Sequence, residues 1–235
     1  MTEKVAIVTG GSRGIGAGVV AGYRRLGWAV VANATTVAPS ADPDVVAVEG
    51  DVSQPDTAER ITRAAVERFG RIDTLVNNAG VFMSKPFTEY TAADYALVVG
   101  VNLAGFFWTT QRVIAEMASR GGGHVVQISA TVADVADSKS PSVLAALTKG
   151  GLAAATRSLA IEYASRGVRV NAVSPGIIQT SMYPPGSFDD LGDRMPPLGR
   201  VGTVDDVVGG ILLLEDSPYI TGEILHIDGG QIAGH

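Results

Sequence analysis

The chain has 235 residues, 46% of them hydrophobic and 18% charged, with 29 glycines, no cysteine and a formal net charge of −6. That length suffices for one α/β domain with a two-sided core, and glycines scattered through apolar segments exclude a low-complexity or disordered chain. The negative balance and the absence of a Lys/Arg run argue against nucleic acid, and the lack of cysteine excludes disulfides and thiolate chemistry, in keeping with a cytoplasmic setting.

Along the chain, KVAIV at 4–8 and AVVAN at 29–33 are short β-branched runs, and Ile15, Val19, Val20 and Leu26 between them suit a helix. The segment before them, with an acidic residue early and no long apolar stretch, predicts neither a signal peptide nor a membrane span. VVAVEGDV at 45–52 predicts a third strand, Asp56 to Phe69 a helix stopped by Gly70, and IDTLVNNAG at 72–80 a fourth strand. An aromatic-rich helix over about 103–118, a strand at 124–129, a long helix from about Pro141 to Arg166 and a strand at 168–176 follow. Thr203 and Asp206 form a capping box before VVGGILLL, where Gly209 and Gly210 together cost about 2 kcal/mol relative to alanine. GEILHIDGG at 222–230 closes the sheet.

Strands apolar on both faces that alternate with helices require a parallel sheet covered on both sides, so the expected fold is a doubly wound, single-domain α/β Rossmann fold. Ligands then bind beyond the carboxyl ends of the strands. TGGSRGIG, GDV, NNAG, ISA and SPG stand there, while the Pro- and Gly-rich stretch 177–200 reads as a lid over about that range, where Met182 and Phe188 would shape an apolar pocket. In the first of these motifs Gly10, Gly14 and Gly16 leave room for a pyrophosphate at the first helix's N-terminus, although a tight turn without ligand uses glycine for the same steric reason.

With TGGSRGIG, GDV, NNAG, Lys149 and SPG in this order, the sequence resembles the short-chain dehydrogenase/reductase family over essentially its whole length. The resemblance implies a seven-stranded Rossmann sheet, a nicotinamide dinucleotide, a small-molecule substrate and commonly a homotetramer. It places Gly10, Ser12, Arg13, Gly14, Ile15 and Gly16 around the phosphates, Asp51 and Val52 at the adenine, and Asn78, Ala79 and Gly80 along the adenosine ribose. Pro175, Gly176, Ile178 and Thr180 would line the nicotinamide. At the end of the second strand Ala34 and Thr35 stand where a carboxylate would repel a 2′-phosphate, and Thr35, Thr36 or Arg13 offers a partner to that phosphate. This favours NADP over NAD, although Arg13 equally reads as a solvated surface residue.

The family's reduction of a carbonyl uses a tyrosine as proton donor four residues before a lysine, a serine after the fifth strand and an asparagine on the preceding helix. Ser129, Lys149 and Asn102 match the last three, and Ala145 stands in the tyrosine's place. Taken as structure alone, Ser129 reads as a backbone cap and Asn102 as a helix-start residue. Sixteen positions separate Ser129 from Ala145, a longer connection than the family usually has, so the altered loop and altered residue read as a rebuilt site. Three replacement acids are open: Ser142 holding a water, Lys149 donating through that water, and Tyr183 or Tyr95 reaching in. The lysine–water route is preferred. Three functions remain in view: an NADP-dependent oxidoreductase with an atypical proton donor, a dinucleotide-binding protein without hydride chemistry, and a lyase or isomerase that retains the cofactor. The histidines lie far apart in sequence with no carboxylate at ligand spacing, so no metal site is expected. Leu103, Phe106, Phe107 and Trp108 give their helix more apolar surface than one sheet covers, which points to a homo-oligomer.

Overall fold

A computed structural model describes residues 4–181, 186, 191 and 195–234. Seven strands, β1 (Val5–Thr9), β2 (Ala29–Ala34), β3 (Val45–Glu49), β4 (Thr74–Asn77), β5 (Gly123–Ile128), β6 (Val168–Pro175) and β7 (Ile224–Ile227), form one sheet in the order β3-β2-β1-β4-β5-β6-β7. All its pairings are parallel. Strand order reverses beside β1, which opens the crevice between the ends of β1 and β4 where such folds hold ligands.

Helices α1 (Gly14–Arg25) and α6 (Val204–Glu215) cover one face, and α2 (Pro55–Phe69), α4 (Gly105–Ser119) and α5 (Val143–Tyr163) cover the other. The alternation of side chains along each strand divides the core. Val5, Ile7, Val125 and Val170 pack towards α2, α4 and α5, while Ala6, Val8, Val126 and Val173 pack towards α1 and α6. Each valine or isoleucine side chain among them contributes roughly 1.5–3 kcal/mol on full burial, so the two layers set the strand register.

The expected strands are present; β1 and β2 run one residue further at their carboxyl ends than expected, and β3 to β7 stop short of theirs. Asp51, Val52, Asn78, Ala79 and Gly80 lie beyond β3 and β4 in irregular backbone, as residues that face a ligand must. Gly70 ends α2 at φ 80°, and the Thr203–Asp206 capping box forms at the start of α6. Gly210 has a packing reason, since a methyl group there would lie 2.8 Å from Ile227 of β7, whereas nothing lies within 4 Å of one at Gly209.

Helix α3 (Ala92–Val99) runs through a π-type turn, Gly100–Ala104, into α4, so the aromatic-rich helix begins earlier than its apolar pattern implies. The resulting 28-residue rod is long and apolar enough, by length and composition, to cross a bilayer. Its inner residues Val98, Val113, Ile114 and Met117 are nevertheless buried in the domain.

At the opposite end of the sheet from the crevice, Glu215 Oε2 accepts hydrogen bonds from Tyr23 at 2.9 Å, Thr74 at 2.8 Å and His124 at 3.1 Å. Burial lowers the pKa of His124, so this histidine belongs to a structural network. Among the described residues no group of His, Asp or Glu side chains is arranged to hold a metal ion.

Candidate active site

The glycine turn after β1 is built around Asn78. Its Nδ2 donates to the carbonyls of Thr9 at 2.9 Å and Gly10 at 3.1 Å, while Thr9 Oγ1 accepts from the backbone N–H groups of Asn78 and Ala79 at 3.1 and 3.0 Å. Gly10 stands at φ 65°, which an L side chain rarely adopts. A methyl group on Gly16 would fall onto the carbonyl oxygen of Gly10 and 2.6 Å from Asn78 Nδ2. Helix α1 therefore starts unusually close to the sheet.

Arg13 occupies the N-cap without a side-chain hydrogen bond, and the first turn, which includes Ile15, has no acidic residue. The leading N–H groups of α1 thus face the crevice uncapped, an anion-binding arrangement. Ser12 and Arg13 are exposed beside it, and Gly14 approaches Thr180 from the segment after β6, 3.6 Å separating a methyl group there from Thr180 Cβ.

Further along the crevice, Ala34 ends β2 buried and Thr35 is exposed, with no carboxylate at either position. Asn33 was not foreseen as a site residue. It is fully buried, and its Nδ2 donates to the carbonyls of Val48 at 2.9 Å and Gly50 at 3.0 Å, pinning the ends of β2 and β3 together. A buried amide at the end of an apolar run was the signal that could have found it. Val52 is buried, while Asp51 is exposed and accepts from the Ser53 N–H at 2.9 Å.

At the catalytic end, Asn102 is buried in the π-type turn, the kind of helix irregularity often kept at functional sites. Its Oδ1 accepts from Val81 N at 2.9 Å, and its Nδ2 donates to Val81 O at 3.0 Å and Thr148 Oγ1 at 3.1 Å. Lys149, on α5, donates from Nζ to Ile128 O at 2.6 Å. A methyl group at Gly80 would lie 3.4 Å from both Asn102 Oδ1 and Lys149 Nζ, so the asparagine and the ammonium converge on the end of β4. Desolvation lowers the Lys149 pKa to about 8. Ser129 Oγ donates to Lys149 O at 3.3 Å. The three polar residues foreseen from sequence are thus brought together.

Ala145 lies one turn before Lys149 and is buried, 2% exposed, with its carbonyl accepting from Thr148 Oγ1 at 3.2 Å. Helix α5 begins at Val143, and Ser142 precedes it with φ −146° and ψ 46°, so Ser142 is not on the helix face shared by Ala145 and Lys149. Tyr95 on α3 is 54% exposed. Met182, Tyr183 and Phe188 lie outside the described residues.

After β6, Pro175 and Ile178 are buried and Gly176 packs closely on Asp228. Ile178 pairs with Gly202 through Gln179 N to Gly202 O at 2.8 Å and Gly202 N to Ile177 O at 2.9 Å, so the two ends of the stretch 177–200 are tied together.

Residues 10–231 match the family model described as enoyl-(acyl carrier protein) reductase. An uncharacterized oxidoreductase of Methylorubrum extorquens is 37% identical over 97% of each chain. The 3-oxoacyl-[acyl-carrier-protein] reductase of Synechocystis is 32% identical, covering 99% of this chain and 98% of that protein. Among solved structures, ElxO with NADP bound superposes with a TM-score of 0.90 at 29% identity over all of both chains, and a Tyr-to-Phe variant of ElxO holds NADPH.

Proposed function

From the premise that the chain belongs to the short-chain dehydrogenase/reductase family and is an oxidoreductase of that type, we propose that it reduces a small carbonyl with NADPH, or oxidises the corresponding alcohol, using a proton donor other than tyrosine. The observation that carries this reading is the convergence of Lys149 Nζ and Asn102 on Gly80 at the carboxyl end of the sheet, with Nζ donating to the carbonyl of Ile128, the residue before Ser129. A binding protein without chemistry has no use for a buried ammonium, whose desolvation is costly.

The residues present fit a nicotinamide dinucleotide. The uncapped N-terminus of α1 receives the pyrophosphate beside Gly10, Ser12, Arg13, Gly14, Ile15 and Gly16. Asp51 and Val52 hold the adenine, and Asn78, Ala79 and Gly80 follow the adenosine ribose. Pro175, Gly176, Ile178 and Thr180 lie along the nicotinamide, which when bound supplies the hydride. Ser129 orients the substrate oxygen. In this reading Ala145 occupies the place of the family's tyrosine, and a water stands between Lys149 Nζ and the substrate oxygen. Lys149, as ammonium, passes its proton through that water to the oxygen that becomes negative. Residues 177–200 act as the lid that selects substrate.

NADPH is the expected partner because Ala34 and Thr35 bring no negative charge to the 2′ position, and Arg13 and Thr35 are exposed where a phosphate would sit. NADP in ElxO is consistent with this. At one salt concentration calorimetry should give a lower Kd for NADPH than for NADH, with the preference reduced in Arg13→Ala. Equal affinities would remove the preference.

Ala145 also favours a second reading, in which the chain binds the dinucleotide and has lost hydride chemistry. The two separate on a panel of ketones and alcohols followed at the nicotinamide absorbance. Turnover by the native chain is the expected result. Turnover only in Ala145→Tyr, checked for folding because the added ring needs room at a 2% exposed site, would favour the second reading. Phe107, Leu147 and Ile161 are exposed on α4 and α5, and we assign these faces to neighbouring subunits of a cytoplasmic homotetramer.

A further inference from the structure

His226 on β7 is joined to a carboxylate that its sequence neighbours do not contain. Its Nε2 lies 3.3 Å from Asp134 Oδ2, across 92 positions of chain. Asp134 belongs to the long loop between Ser129 and α5. That loop is also tied at its far end, where Ser84 Oγ donates to Pro141 O at 3.0 Å.

The sheet register aligns His226 with the catalytic end. Ser174 pairs with His226, and Ile128 pairs with Val173. Ser129, whose N–H donates to Val173 O at 2.8 Å, therefore falls in the same row as Ser174. Val173 packs towards α6, as do Leu225 and Ile227, so strand alternation turns Ser174 and His226 towards the α5 face, where Ser129 Oγ donates to the main-chain carbonyl of Lys149. Adjacent strands are about 4.8 Å apart, so the row spans roughly 10 Å from Ser129 to His226. In its middle, Ser174 is 0% exposed and its Oγ hydrogen-bonds to no protein group among the described residues. A buried hydroxyl in that position calls for a bridging water.

We propose that Ser129, Ser174 and His226, with Asp134, form a proton-replenishing relay for the site. This rests on the reading of Lys149 as proton donor. In each reduction the Lys149 N–H bond breaks as the alcohol O–H bond forms, which leaves a neutral amine. A proton then moves from the His226 imidazolium through the Ser174 and Ser129 hydroxyls and the waters between them, re-forming the Lys149 N–H. His226, with its side chain 27% exposed, recovers a proton from bulk water. Asp134 holds Nε2 and leaves Nδ1, the nitrogen nearer the main chain, for the row.

Among the described residues, the other charged groups near His226 have these surroundings. Arg200 and Asp206, which share a cavity with it, pair with each other at 2.8 Å. Asp228 accepts from the N–H groups of Gly230 and Ile232, both at 2.9 Å. Asp137 and Lys139 follow on the same loop, where the Lys139 N–H bonds Asp137.

The test compares His226→Gln and Ser174→Ala with the native chain, loaded with NADPH and mixed with a ketone substrate. A single turnover spends only the proton already on Lys149, so its rate should be unchanged. Steady-state turnover should fall at least about tenfold, with a larger solvent deuterium effect, and His226→Ala should regain rate on addition of imidazole. Variants with the native steady-state rate, or with both rates reduced equally, would overturn the relay. In the ligand-free protein, Ser174→Ala should also move the ring-nitrogen resonances of His226, and unmoved resonances would count against the link whatever the enzyme's activity. A native chain that binds NADPH but transfers no hydride in a single turnover would instead sink the parent reading, and the relay with it.

Discussion

Replacing Lys149 by alanine is expected to lower ketone reduction at saturating NADPH by about 10²- to 10⁴-fold, the range ordinarily supplied by general acid catalysis. The loss follows from the surroundings of the group. Lys149 Nζ is desolvated at the junction of α5, the end of β5 and the end of β4, with the Ile128 carbonyl 2.6 Å away, and no other described side chain stands one turn before it to give a proton. Desolvation disfavours the charged form, so the pKa falls to about 8. The sign of the pH dependence follows. The ammonium form donates, so reduction should be full below about pH 8 and decline above it, whereas alcohol oxidation, which needs the free amine, should rise through the same pH. Lys149→Arg keeps a charge but holds its proton at every accessible pH, so it should bind NADPH yet reduce ketones slowly. Stopped-flow and steady-state rates across pH 6–10 (about two units either side of the ordinary neutral-to-alkaline transition) check this. Native rates in Lys149→Ala would show that the proton comes from elsewhere.

Gly16→Ala should weaken NADPH binding by about 100-fold or more, roughly 2.7 kcal/mol. The added methyl group collides with the Gly10 carbonyl oxygen and with Asn78 Nδ2, and neither can retreat cheaply. Asn78 is bonded to both the Thr9 and Gly10 carbonyls, and Thr9 in turn holds the N–H groups of Asn78 and Ala79. Relief therefore requires α1 to move away from the sheet, which carries its N–H groups away from the phosphates. Calorimetry gives the Kd, and a thermal melt separates lost binding from lost folding. A folded Gly16→Ala variant with the native Kd would mean that the glycine turn does not cradle the dinucleotide.

Much of this architecture follows from local pattern alone. Runs such as VAIVT, apolar on both faces, have no stable place except inside a covered parallel sheet, and turn glycines such as Gly70 mark helix ends because few other residues adopt a positive φ. Ser129 was legible at a strand end because a doubly wound sheet gathers such ends whatever the loops contain, whereas Asn102, in the π-type turn, and Lys149, on α5, were legible through the family resemblance.

Other features depend on distance in three dimensions. The start of α5 at Val143 and the removal of Ser142 from its face depend on how the loop after Ser129 meets the helix. Asn33 shows its role only when β2 lies against β3, and nothing near His226 in the chain announces Asp134. The sequence by itself determined the layers and the order of the strands, since hydrophobic periodicity and glycine geometry act over a few residues. Only the tertiary structure decided which polar side chains meet and which are desolvated, because hydrogen bonding and burial depend on neighbours that are remote along the chain.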